Sequence, residues 1–333
     1  MTIRLSCCEL LQTEEMSTGG KVLRRIIEIS KEGLFLSTQR GCLVISEKST
    51  ELSKIPFSDI AVLLITAKGT TLTKNAMLEI IQHEGVVMFC GNTFKPETIM
   101  VPLCGNYEFS GRLADQTAAS LPLQKQLWKQ IIEEKIRNQA TVLHSFGLET
   151  ESKQLRSNAD RVLSGDTDNR EGVAARVYWS ALMGKGFSRN PDEPGTNALL
   201  NYGYAILRGT IARAVCCAGL HPSLGIFHSN KKNNYCLVDD LMEPFRPLVD
   251  FTVKQLVEKG GSLDLTPACK SQLSKIAWVG VWVDKGKSPL ITACEYYCTS
   301  LVQSYQMKKN LLCVPQLTKT ATNTIEQTIL LPI

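Results

Sequence analysis

Apolar residues follow two different rhythms along this chain. In the N-terminal part they come as short runs rich in branched side chains: IIEIS from Ile26, LFLST from Leu34, CLVIS from Cys42 and IAVLLIT from Ile60. Lys31-Glu32-Gly33 and Arg40-Gly41 punctuate these runs, as turns punctuate strands. One helix interrupts the set. Thr73 can cap it, Ala76, Leu78, Ile80 and Ile81 supply its apolar face, and Gly85 stops it. VVMFC from Val86 returns to strand, and a turn ending at Pro96 precedes ETIMVPL. The pattern predicts a small β sheet or sandwich with one helix over 1–103.

Residues 104–120 sustain neither period and read as a linker. The rhythm then turns helical. Leu123, Leu127, Ile131, Ile132 and Ile136 form one stripe that ends at Gly147. Asn197 or Thr196 can cap a second long helix through Leu199, Tyr202, Ile206 and Ala214, ending near Gly219. Thr266-Pro267 and Ser288-Pro289 each set a capping hydroxyl before a proline suited to the first helical position. They predict helices ending at Gly280 and near Asn310. The expected fold is therefore α+β: an N-terminal small β domain, then an all-α domain over 121–313. The Thr- and Gln-rich tail, 314–333, is expected to be loosely packed or mobile.

A length of 333 residues suits two such domains. Hydrophobic content of 44% and charged content of 21% are ordinary for globular proteins. No run of eighteen apolar residues exists, so no spanning helix and no membrane partner are expected. MTIRLSCCELLQTEE lacks the apolar core of a secretion signal, which leaves the cytoplasm as the expected location. The net charge of +5 is compatible with a nucleic-acid partner without identifying one. The twelve cysteines form no C-x-x-C motif, so buried thiols in a reducing compartment are expected.

The candidate chemistry lies in three residues: Glu171, His228 and Glu243. An O, N, O donor set suits a hard or borderline divalent ion with positions left for water and phosphate. Each carboxylate also has a plainer reading. Asp168 to Glu171 and Asp240 to Glu243 both have capping-box spacing, so either Glu can serve a helix start. Ala174, Ala175 and Tyr178 share the face of Glu171 and permit close helix approach. Asp239, Asp240 and Glu243 compete as ligands, and spacing alone does not choose among them. Asp239, Asp240 and Tyr178 are candidates for support behind the ligands. Arg176, Arg189, Arg208, Lys231, Lys232 and Arg246 are candidate phosphate contacts.

At these motifs the chain resembles the CRISPR-associated endonuclease one family, the integrase of spacer acquisition. The likeness runs through Glu171 with Ala174-Ala175-Arg176-Val177-Tyr178, Asn197 to Tyr204, Gly225 to His228, and Asp240 to Pro247. IPFSDIAVLLI and the length resemble the branch associated with type II systems. The resemblance implies that Glu171, His228 and Glu243 hold Mg2+ or Mn2+ and catalyse transesterification. The 3′-hydroxyl of a short DNA fragment would attack a phosphodiester of the CRISPR repeat. It further implies a homodimer, with two such dimers bridging CRISPR-associated protein two, and other adaptation proteins of a type II locus as partners. Two rival readings stay open: a structure-selective nuclease on branched DNA, and a non-catalytic DNA-binding scaffold.

Overall fold

The computed structural model describes residues 24–91, 96–102, 106–260, 263–284 and 286–317. The chain divides into two units, Met1–Gly105 and Asn106–Ile333.

The first unit contains β1 (Arg25–Ile29), β2 (Phe35–Gln39), β3 (Cys42–Glu47), β4 (Thr50–Pro56), β5 (Ile60–Ile65), β6 (Thr71–Leu72), α1 (Lys74–Gln82), β7 (Val86–Cys90) and β8 (Pro96–Met100). Two four-stranded sheets result, ordered β1-β5-β7-β8 and β4-β3-β2-β6. In the first sheet β1, β5 and β7 run parallel, and β8 closes the edge antiparallel. All six residues of β5 are buried, as expected of a parallel strand covered on both faces. Ile27, Leu63 and Val87 from the first sheet share a core with Leu36, Leu43 and Ile45 from the second and with Ala76 and Ile80 of α1. The Thr73 hydroxyl caps α1 through Ala76 N at 3.2 Å, as the sequence predicts.

Two strands of this unit, β4 and the two-residue β6, have no counterpart in the sequence reading. Strand β4 pairs with β3 across Lys48 and Ser49, both at positive φ (44° and 71°). That hairpin turn lacks the Gly or Asn that normally announces one, and mostly polar residues make up the edge strand it introduces.

The second unit contains α2 (Phe109–Thr117), α3 (Leu121–Ser145), α4 (Glu149–Ala159), α5 (Arg170–Met183), α6 (Thr196–Cys217), α7 (Cys236–Met242), α8 (Arg246–Glu258), α9 (Pro267–Ser274), β9 (Gly280–Val283), β10 (Gly286–Pro289) and α10 (Leu290–Gln306). Several expectations need correction here. Helix α9 ends at Ser274 rather than at Gly280, where β9 begins. The expected linker holds α2, a short helix whose Gln116 is buried and bonds the backbone of His221 and Leu224; with few apolar residues it carries little periodic signal. The unit is not all-α, because β9 and β10 form an antiparallel pair. Ser288 belongs to β10 rather than capping α10, whose first residue is Leu290. The start of the expected tail is ordered: Val314 and Leu317 are buried, Gln316 pairs with Trp282, and Leu317 N donates to Asn138 at 3.0 Å. The remainder of the tail, like the first twenty residues and Cys7-Cys8, lies outside the described residues.

Thr266 caps α9 as predicted, accepting from Cys269 N, whereas α6 is preceded by Gly195 without a side-chain cap. The described cysteines are free thiols, with Cys294 and Cys298 fully buried. No helix among the described residues is long and apolar enough to cross a membrane.

Candidate active site

Helix α3 organises the site. Trp128, Lys135 and Asn138 are all buried and follow one another at i, i+7 and i+10, which sets them on one face. Each reaches a different functional segment. The Lys135 ammonium lies 2.5 Å from Glu171 Oε1 and 2.5 Å from Glu243 Oε2. Asn138 donates to Pro244 O at 2.8 Å and so pins the turn that carries Glu243. Trp128 stacks on Phe227 at 4.4 Å and meets the His228 ring edge-on at 5.5 Å.

Glu171 is the second residue of α5, and the start of that helix is satisfied without it. Asn169, in the left-handed region at φ 52°, accepts from Gly172 N, while the Asp166 carboxylate takes Arg170 N and Glu171 N. The Glu171 side chain is thereby left for α3, and the capping-box reading does not hold. Glu243 opens a 3₁₀ turn, Glu243–Phe245, between α7 and α8. Its other oxygen accepts from Arg246 Nε at 2.7 Å. Burial pushes the Glu243 carboxyl up, but the Arg246 guanidinium and Lys135 ammonium outweigh burial and hold its pKa at about 2. Burial likewise opposes the charge on Lys135, yet Glu243 and Glu171 overcome it and raise that pKa.

His228 sits on a loop wound around one carboxylate. Asp240, fully buried in α7, accepts from Ile226 N at 2.6 Å and Phe227 N at 2.9 Å, and its other oxygen bonds His228 Nδ1. Gly225 makes this winding feasible, since a Cβ there would collide with His228 O and approach Asp240 Oδ2 to 2.9 Å. The bond to Asp240 raises the His228 pKa against the opposing effect of partial burial, and the charges of Asp240, Glu243 and Glu171 act in the same direction. Its side chain is 47% exposed, which leaves Nε2 accessible while Nδ1 is held.

Among the described residues no three His, Cys, Asp or Glu side chains are arranged to hold a metal ion. A cation is nonetheless where the two glutamates converge, and it is the Lys135 ammonium. Two carboxylates facing one positive charge, beside an imidazole whose far nitrogen is anchored by a carboxylate, match the donor types of a divalent site. The donor chemistry of these residues suits such an ion, and the space between the two carboxylates is taken by the Lys135 ammonium.

The family model for CRISPR associated protein Cas1 matches residues 27–264. The chain belongs to the Cas1 family. A CRISPR-associated endonuclease Cas1 of Neisseria meningitidis serogroup C (strain 8013) is 37% identical over 81% of this chain and 88% of its own length. One from Saccharolobus solfataricus is 31% identical over 71% of this chain and 76% of its own length. Among solved structures, a casposase bound to integration product superposes with a TM-score of 0.72 at 21% identity, covering 92% of this chain and 99% of its own. A Cas1 protein from Thermotoga maritima gives 0.69 at 15% identity, covering 86% and 99%. At those identities the two structures speak for the fold.

The remaining candidates of this Cas1-family site separate clearly. Asp240 stands behind His228, as the sequence reading allowed. Asp239 does not: it pairs with Arg208 at 2.8 Å and Asn233 at 2.6 Å. Tyr178 is buried beside Trp179 and Asp250. Of the basic candidates, Arg208 is further committed over the Tyr235 ring, and Arg246 to Glu243 and the Tyr204 ring. Arg189 bonds Asn197 and Asn201. Arg176, Lys231 and Lys232 are exposed. Sequence reasoning missed Lys135, Trp128 and Asn138. Their signal was present, because Lys135 falls at i+4 from Ile131 on the apolar stripe, where a charge needs a partner.

Proposed function

We propose that this member of the Cas1 family is a metal-dependent DNA integrase. It joins the 3′-hydroxyl ends of short DNA fragments to a CRISPR repeat by transesterification, as a homodimer working with Cas2. The observation that carries the reading is the meeting of Glu171 and Glu243 on one cation beside a carboxylate-anchored His228. Similarity to a casposase bound to integration product, and to a Cas6-RT-Cas1–Cas2 complex (TM-score 0.71, 16% identity, 90% of this chain and 37% of that one), supports the direction and the partner.

In this reading Glu171, Glu243 and His228 Nε2 hold Mg2+ or Mn2+. When bound, the ion polarises the target phosphodiester and stabilises charge on the departing oxygen. The protein groups prepare that event. Asp240 accepts the His228 Nδ1 proton and fixes the tautomer whose Nε2 can donate its lone pair. Arg246 holds one oxygen of Glu243 so that the other faces Glu171. Lys135 balances the two carboxylates before loading and, displaced, leaves a positive charge near the phosphate. Phosphodiesters break slowly enough that enzymes can be asked for up to ~23 kcal/mol, and here positioning and electrostatics share the task.

The decisive assay supplies fragments with free 3′-hydroxyls, supercoiled repeat DNA and manganese. Joined products that vanish in Glu171→Ala, His228→Ala or Glu243→Ala support the proposal. Nicks without joining favour a structure-selective nuclease, a reading that the endonuclease name of the relatives keeps in view. Manganese binding that ignores His228→Ala points to a scaffold.

A further inference from the structure

Asn197, Asn201 and Tyr204 follow one another at i, i+4 and i+7, which sets them on one face of α6. Arg246 and Asp250 are likewise one turn apart on α8. The two helices meet through Tyr204. Its hydroxyl donates to Asp250 Oδ1 at 2.5 Å, and its ring lies under the Arg246 guanidinium, 4.9 Å from Cζ to centroid. A second guanidinium approaches the same ring, with Arg189 Cζ 5.3 Å from the centroid. Arg189 is held in turn by the buried Asn197 and Asn201, whose side-chain oxygens accept from it at 2.9 and 2.6 Å. The same two asparagines donate to Ser188 O at 3.3 Å and Pro191 O at 2.8 Å. The ring is therefore fixed by contacts from α6, α8 and the loop that precedes α6.

The consequence lies one contact further on. Arg246 Nε donates to Glu243 Oε1 at 2.7 Å, so the ring that orders this guanidinium also orders a carboxylate of the candidate site. An ion pair between two flexible side chains can take several geometries, and holding it in one costs side-chain entropy. An aromatic ring against the flat guanidinium removes that freedom beforehand. Plain packing does not account for the arrangement. Two cations beside one ring repel each other, and an apolar side chain at 204 would fill the space without drawing them together. Groups that aim a metal ligand from behind change metal affinity or activity by about 10- to 100-fold.

We propose that Tyr204 is a positioning residue of the carboxylate site: its ring fixes Arg246, which holds one oxygen of Glu243 and aims the other at the divalent ion. The inference rests on the metal-dependent reading above. Manganese titration calorimetry on the DNA-free protein tests it, with strand joining across a manganese series as the second readout. Tyr204→Leu is expected to weaken manganese binding about 10-fold and to raise the manganese needed for half-maximal joining equally. Joining at saturating manganese should change by less than about 3-fold. Tyr204→Phe keeps the ring and should stay within about 3-fold of wild type in both measurements. Arg246→Met should reproduce the loss, and adding Tyr204→Leu to it should bring no more, because the two side chains act in series. Arg246→Lys keeps the charge without the flat face, so it should also lose about 10-fold, and it carries the test if Tyr204→Leu does not fold. Wild-type manganese affinity in Tyr204→Leu or in Arg246→Lys overturns the proposal, as do losses that multiply in the double variant. A wild-type protein that binds no manganese removes the metal reading together with it. Manganese binding that depends on Tyr204, in a protein that joins nothing, supports the positioning role and removes the integrase.

Discussion

The two units of this chain bury different things. In the β unit every buried side chain among the described residues is hydrophobic, from Ile27 and Leu36 through Leu63 to Val87. The helical unit buries Glu134, Lys135, Asn138, Asn197, Asn201, Arg213, Asp240, Glu243 and Asp250 as well. Apolar burial is non-directional and tolerates shape-conserving change. Buried charge is the reverse: each group needs a named partner, and losing one strands the other. The helical unit therefore gives up some ease of packing for fixed positions of carboxylates and cations, as a reaction centre requires. The β unit keeps a core that only has to hold its shape.

The sharpest way to break this contrast is to delete one group from each side. Alanine at Glu171, His228 or Glu243 is expected to lower strand joining by at least about 100-fold, with DNA binding changed little. Leu63→Ala, in the fully buried β5, should cost roughly 2–5 kcal/mol of stability while joining per folded molecule persists. Gel-based joining assays beside calorimetric melting measure both. A Leu63→Ala protein that melts normally would undo the description of its core, and joining by all three alanine variants would move the chemistry elsewhere.

The same contrast explains what could be read in advance. Apolar periodicity depends on hydrophobic burial, so β1, β2, β3, β5, α1, β7 and the stripe of α3 were legible. Strand β4 was not, because its turn is made by Lys48 and Ser49 and only Ile55 among its mostly polar residues is buried. Helix α2 was hidden by a polar composition that tertiary hydrogen bonds from Gln116 make good. At the site, Glu171, His228 and Glu243 stood out as a donor set and by resemblance, but which acid stands behind His228 was undecidable from spacing. Asp239 and Asp240 are adjacent in sequence and point to opposite duties, one to Arg208 and the other to the His228 loop. Lys135 escaped because a lysine in a run of charges reads as solvated until its helical register is compared with Ile131.

Lys135 provides the next test. Lys135→Met keeps the length of the stem and removes the charge between Glu171 and Glu243, leaving two acids without their common partner. Breaking a buried pair in this way costs about 3–5 kcal/mol. Melting in EDTA should fall accordingly. Added manganese should then stabilise Lys135→Met by more than it stabilises wild type, because the competing ammonium is gone. An unchanged melting temperature in EDTA, or an equal manganese gain in both proteins, counts against Lys135 as the resident cation.

The smallest expected effect concerns a buried acid away from the carboxylate pair. Asp250 accepts from the Tyr204 hydroxyl at 2.5 Å, and burial pushes its pKa from 3.8 to about 7 despite that bond and the charges of Arg246 and Lys135. Below pH 3.8 the folded and unfolded chains both hold this proton, and the full stability is present. Between there and about 7 the unfolded chain releases the proton while the folded chain keeps it, so stability falls as pH rises, and the loss is complete above about 7. Asp250→Asn retains an oxygen for Tyr204 and cannot titrate, so it should flatten the decline of melting temperature between about pH 4 and 7. Glu134, also raised to about 7 by burial, leaves a remnant slope of the same sign that Glu134→Gln removes in the double variant. No residue of the β unit's buried core can contribute in this window, since none of those side chains carries a proton to lose. A decline left unchanged by both substitutions would count against Asp250 and Glu134 as the titrating groups and leave it to Asp240 and His228, whose pKa values are also raised.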